Sequence, residues 1–172
     1  LKELACKLGV RVYEQTPHIS NNLSSSGIQV ETPSGMITAN KVLLATNAFA
    51  VGNRKIKTRV AAIRDRIIVT EPLSAEQMEL VGWKNRQGIY DTRTQLNYMR
   101  LTCDNRILFG GRLDYFYGNN TNPTDDKSYR PYLRLLAAFY QTFPQLKESM
   151  RVSHAWSGPI GLTTRMAVHY QS

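Results

Sequence analysis

The chain has 172 residues, 42% of them hydrophobic and 20% charged, with 22 Lys and Arg against 13 Asp and Glu for a formal net charge of +9. That suffices for one sizeable core but not for two full-sized domains, and nine Tyr, two Trp and five Phe exclude a disordered tail or low-complexity linker. No stretch approaches the roughly 20 apolar residues that cross a bilayer, and the two distant cysteines, Cys6 and Cys103, form neither a CxxC pair nor a disulfide framework, which fits a reducing, cytoplasmic setting.

Leu1, Leu4, Ala5 and Leu8 lie on one helical face, and Gly9 stops the pattern. This helix has no capping residue before it, and Met166–Ser172 ends without a polar tail, so both ends read as interrupted. Val10–Glu14 alternates as a strand. Ile28–Thr32 and Met36–Ala39 read as strands joined by the turn Pro33-Ser-Gly35, and Lys41–Ala45 is an apolar run of the kind buried on both faces of a parallel sheet. A second region starts near Val60, with a strand at Ile67–Thr70 and the capping box Ser74-Ala-Glu-Gln77 opening a short helix to Val81. Gln95–Thr102 and Arg106–Phe109 flank Cys103-Asp-Asn105, residues suited to a tight hairpin, so an antiparallel sheet is expected. Gly118–Thr124 is a polar loop. Tyr132, Leu135, Leu136, Phe139 and Phe143 then define an amphipathic helix ended by Pro144, and Val152–Trp156 and Arg165–Tyr170 read as strands. The fold class is therefore α+β or α/β.

The glycines form neither G-x-G-x-x-G nor G-x-x-x-x-G-K-[ST], so no phosphate cradle is encoded. His18, His154 and His169 lack metal-ligand spacing, and no metal is inferred; no G-x-S-x-G elbow occurs either. Asn22-Leu-Ser24 and Asn119-Asn-Thr121 match glycosylation triplets, but no secretory signal accompanies them. The positive charge leaves one alternative open, a basic module that binds anions or nucleic acid without catalysis. Tyr98, Arg100 and Thr102 share one strand face. A Tyr–Arg pair there could orient a carboxylate or amide, or could be an ordinary cross-strand pair on a half-exposed sheet. Composition and spacing alone name no reaction.

Read in order, Leu8–Pro17, Lys41–Ala48, Val69–Leu73, Tyr98–Gly111, Phe143–Leu146 and Trp156–Thr163 resemble the middle of the D-amino-acid oxidase/glycine oxidase (DadA-like) family of FAD-dependent oxidoreductases, in the branch containing gamma-glutamylputrescine oxidoreductase. The resemblance implies an internal fragment: residues 1–58 as part of a Rossmann-like FAD-binding domain, 59–155 as an antiparallel substrate domain, and 156–172 as the return toward the FAD-binding domain. It implies that the main chain of Thr16, Pro17 and His18 meets the adenine of FAD, that Ala45, Thr46, Asn47 and Ala48 pass close to the dinucleotide, and that Tyr98, with Arg100, faces a small amine or amino-acid substrate. It names no catalytic acid or base. Nucleic acid has no part in this reading, and self-association through uncovered surfaces is expected.

Two departures from the family pattern bear on the substrate. The usual Pro–apolar–basic–Gly stretch appears as Ala62-Ile63-Arg64-Asp65, and Ile160 stands where amino-acid-oxidising members carry an Arg that grips the substrate carboxylate. The second departure favours an amine, or a carboxylate held elsewhere, as by Arg100. The implied chemistry is hydride transfer from the amine-bearing carbon to flavin, with the flavin carrying the redox step.

Overall fold

The computed structural model describes residues 1–115, 121–122 and 129–167, in two compact units, residues 1–45 and residues 46–172. Among the described residues no helix is long and apolar enough to cross a membrane.

The first unit opens with helix α1 (Lys2–Lys7), which has Glu3 in its first turn and Lys7 in its last, matching the helix dipole. Leu8 and Gly9 close it through bonds from their N–H groups to Leu4 and Cys6 carbonyls. A three-stranded antiparallel meander follows: β1 (Ser20–Ser24), β2 (Gly27–Thr32) and β3 (Gly35–Ala39), in the order β1-β2-β3. The β2–β3 hairpin lies where the sequence pattern puts it.

Two expectations for this unit are corrected. Val10–Glu14 and Lys41–Ala45 are not strands, and Leu43, expected in a sheet interior, is 87% exposed. Both segments have strand-like composition, but an extended segment becomes a strand only by pairing its N–H and C=O groups with a neighbour. Among the described residues neither segment enters a sheet. No side chain of residues 1–45 is fully buried.

The second unit is built on a five-stranded antiparallel sheet in the order β5-β6-β7-β4-β8, where β4 is Val60–Thr70, β5 Ile89–Tyr90, β6 Tyr98–Leu101, β7 Ile107–Tyr115 and β8 Val152–Thr163. The long strand β4 lies between β7 and β8 and pairs with β8 from Val60↔Thr163 to Thr70↔Val152. β8 runs through Gly158-Pro159 without ending. It is an edge strand, where a proline's missing N–H is tolerated. Residues 165–167, expected to be extended, form a turn and bend, and the rest of that expected strand lies outside the described residues, as does most of the polar loop 118–124.

Helix α2 (Ala75–Val81) starts at the expected capping box: Ser74 Oγ accepts from the Gln77 N–H at 3.2 Å, and Gln77 Oε1 accepts from the Ser74 N–H at 2.8 Å. Helix α3 (Arg130–Thr142) covers one face of the sheet. Alternation along β6 and β7 points Met99, Leu101, Ile107 and Phe109 toward that helix, where they join Leu135, Ala138 and Phe139 in a continuous core. Phe139 meets Phe109 edge to face with ring centres 5.4 Å apart, and Trp83 stacks on Phe143. Burying each large apolar side chain contributes about 1.5–3 kcal/mol, so this layer holds the second unit together.

Candidate active site

The same alternation turns Tyr98 and Arg100 to the opposite face, away from α3. Directly paired residues share a face. Tyr98 pairs with Gly110, Gly110 with Ile67, and Ile67 with Trp156, which brings these four into one row across β6, β7, β4 and β8. Asp65 pairs with Gly158, and Ile63 with Ile160, further along this face. Trp156 and Ile160 are both partly exposed, and a Cβ placed on Gly158 would meet nothing within 4 Å.

A β-bulge shapes the centre of the row. Arg64 pairs with Asp114 and Arg66 with Gly111, so Asp65 alone faces both Arg112 and Leu113. Gly111 has φ +142° and Arg112 φ +61°. At Gly111 a Cβ would lie 2.8 Å from the Leu96 carbonyl oxygen, so both the backbone conformation and the space call for glycine. At Gly110 the reason is steric: the Tyr98 ring lies across it, 2.2 Å from where a Cβ would stand.

That passage lets the Tyr98 hydroxyl reach Asp65 and donate to Oδ2 at 2.6 Å. Asp65 is 8% exposed, its Oδ1 accepts from the Arg66 N–H at 2.9 Å, and the Gly111 N–H also donates to this carboxylate. Burial raises the Asp65 carboxyl above its ordinary value, while the bonds from Tyr98, Arg66 and Gly111 pull it partly back. Burial first, then the bond to Asp65 and its charge, push the Tyr98 phenol well above the usual tyrosine value. Arg100 is exposed two residues along β6 and pairs with Leu108.

Behind this row, Asn97 is fixed by Asp91. Asp91 Oδ1 accepts from the Asn97 N–H at 3.0 Å, Oδ2 accepts from Nδ2 at 2.8 Å, and the Asp91 N–H donates to the Asn97 carbonyl. This clasp sets the turn from which Tyr98 emerges.

The residues with an expected FAD role lie in both units. In the first, Thr16 Oγ1 donates to the Glu14 carbonyl, Pro17 is exposed, His18 Nε2 lies 3.2 Å from Asn21 Oδ1, and Ala45 is exposed. In the second, Thr46 precedes a short 3-10 segment, Asn47–Gly52, in which Ala48 is fully buried. Asn47, at φ 50°, is tied to β8: its Oδ1 accepts from the Gly161 N–H at 2.7 Å. Sequence reasoning brought Tyr98 and Arg100 to one face but gave Asp65 no role. The available signal was its place in the altered stretch Ala62–Asp65, where the family carries glycine.

Comparison with known proteins agrees with this architecture. The family model DAO, FAD dependent oxidoreductase, matches residues 1–171, and the chain belongs to that family. It is 28% identical to the probable oxidoreductase OrdL of Haemophilus influenzae, over 99% of this chain and 37% of that protein. It is 32% identical to gamma-glutamylputrescine oxidoreductase of Escherichia coli, over 90% of this chain and 34% of the relative. The chain thus spans little more than a third of the curated relatives it matches. Among solved structures, glycine oxidase from Geobacillus kaustophilus superposes with a TM-score of 0.73 at 17% identity, over 95% of this chain and 40% of that one, a likeness of fold.

Proposed function

We propose that this chain is the substrate-side portion of a FAD-dependent oxidoreductase that oxidises the C–N bond of an amine or amino acid. The observation that carries the reading is the sheet face opposite α3, on which Tyr98 lies in one row with the partly exposed Trp156, with Gly158 and the partly exposed Ile160 further along β8 and the exposed Arg100 at the other end. Such a surface suits one side of a planar ring system, with polar groups confined to one end. On this reading residues 1–58 go with the FAD-binding domain, 59–155 with the substrate domain, and 156–172 lead back.

The main chain at Thr16, Pro17 and His18 lies outside the sheet ladders, which leaves it available to an adenine, and the Ala45, Thr46, Asn47 and Ala48 turn would pass the dinucleotide. No glycine-rich phosphate turn occurs in the sequence, so the pyrophosphate is not assigned to these residues. When bound, FAD supplies the hydride acceptor. The chain's own contribution is to orient the substrate at Tyr98 and, through Trp156 and Ile160, to exclude water from the reacting bond. The reading places the protein in the cytoplasm, with a small-molecule amine or amino acid as partner and no nucleic acid.

The test is to express the whole reading frame that contains this chain. A yellow protein with the visible bands of flavin, bleached by an amine or amino acid without oxygen, is expected. A colourless product, or a yellow one that no such substrate bleaches, overturns the proposal. The 172-residue chain alone is expected to be colourless.

A further inference from the structure

The Asp65–Tyr98 pair bears on which end of a substrate this face recognises. A phenol has one hydrogen to donate, and in Tyr98 it points at Asp65 Oδ2, 2.6 Å away, a short charge-assisted bond. The phenol and the N–H groups of Arg66 and Gly111 all donate to Asp65, which makes it the acceptor of the pair, although burial acts against its charge and raises its carboxyl. Arg66 extends to the α3 side of the sheet, where its guanidinium sits 5.8 Å from the centre of the Tyr132 ring. No salt bridge engages Asp65 among the described residues, and the Arg66 charge acts on it only as the last and smallest of the influences on its carboxyl. The Tyr98 oxygen is left with lone pairs only, backed by a buried negative charge.

A substrate carboxylate needs a donor and is repelled by that charge, whereas an amine or ammonium N–H finds an acceptor. The opposite arrangement, in which Tyr98 helps Arg100 grip a carboxylate, would require the phenol to give up its bond to Asp65. We infer that Asp65 is a positioning and specificity-determining residue, which fixes Tyr98 as a hydrogen-bond acceptor and makes this face select the cationic amine group of a substrate over a carboxylate. The inference deepens the function proposed above and rests on its assignment of this face to substrate.

The experiment uses the 172-residue chain with tyrosine isotope-labelled at Cζ. The Tyr98 resonance, assigned by its loss in Tyr98→Phe, is followed by NMR during titration with n-butylammonium chloride or sodium butyrate at matched ionic strength. A saturable shift with butylammonium and none with butyrate is expected. Asp65→Asn weakens the butylammonium response about tenfold or more, the size expected for a hydrogen bond to a charged group, and Asp65→Glu, which keeps the charge, retains the preference for butylammonium. A saturable butyrate response, no butylammonium response in the unaltered chain, or an unchanged response in a folded Asp65→Asn variant overturns the inference. The comparison of the two probes on the unaltered chain stands even if a variant fails to fold. No flavin enters these titrations, so their failure is distinct from failure to obtain a yellow, substrate-bleached protein.

Discussion

The phenol of Tyr98 on β6 reaches past β7 to the carboxylate of Asp65 on β4, spanning three strands with one 2.6 Å hydrogen bond. Burial first, then this bond and the Asp65 charge, favour the protonated phenol, so the folded-state value of Tyr98 lies above the 10.0 of an unperturbed tyrosine. The stabilisation is complete below that unfolded value and is lost as pH rises toward the folded one. In an alkaline absorbance titration from about pH 9 to about pH 11, Tyr98→Phe is expected to give the same phenolate signal as the unaltered chain. At neutral pH the same substitution, which takes a donor from the buried Asp65, is expected to cost about 1–3 kcal/mol in urea unfolding.

Gly110→Ala places a methyl group into the Tyr98 ring, 2.2 Å from Cζ, and must push the phenol off Asp65. A loss of about 1–3 kcal/mol is expected. In a Tyr98→Ala background the obstacle is gone, and adding Gly110→Ala should cost less than about half as much. Denaturant unfolding of the four proteins in this cycle measures the coupling, and equal costs in both backgrounds would contradict the described contact.

Asp91 behaves in the opposite sense to Asp65. Burial acts to raise its carboxyl, but hydrogen bonds from the Asn97 N–H and Nδ2, then from the Arg93 N–H, outweigh it and hold the group below its ordinary value of 3.8. Its stabilisation is therefore present above the unfolded value and fades as pH falls through the folded one. Asp91→Ala is expected to lower stability by about 1 kcal/mol at neutral pH. Urea midpoints of the two proteins should converge below about pH 3.

The core layer offers a simpler contrast on one helix. Phe139, wholly buried between Phe109 and Phe143, should cost about 3–5 kcal/mol when changed to alanine. Leu133, 53% exposed on the same helix, should change stability by less than about 0.5 kcal/mol. Chemical denaturation monitored by circular dichroism separates the two.

What could be read from the sequence was local. The helical spacing of Leu135 and Phe139, the Ser74–Gln77 capping box and the Cys103–Asn105 turn each lie within a few residues, and each appears where expected. Strand β1, Ser-Asn-Asn-Leu-Ser, was missed because it has almost no apolar pattern and depends on its register with β2. The strand expected over Val152–Trp156 runs on through Gly158-Pro159 to Thr163 because β4 pairs with it along that length. At the site, alternation alone puts Tyr98 and Arg100 together, whereas the Asp65 contact joins residues 33 positions apart and depends on a bulge with no local signature.

The antiparallel pairing of β4 with β8 also sets an order of events during synthesis. β4 leaves the ribosome well before β8, and its outer edge, from Val60 to Thr70, has no partner until the residues up to Thr163 have been made. For that interval the nascent chain exposes an extended, unsatisfied backbone edge, the kind of surface that chaperones shield and that other unfinished chains can capture. Ribosome stalling between β7 and β8 is accordingly the condition under which this protein should aggregate most readily.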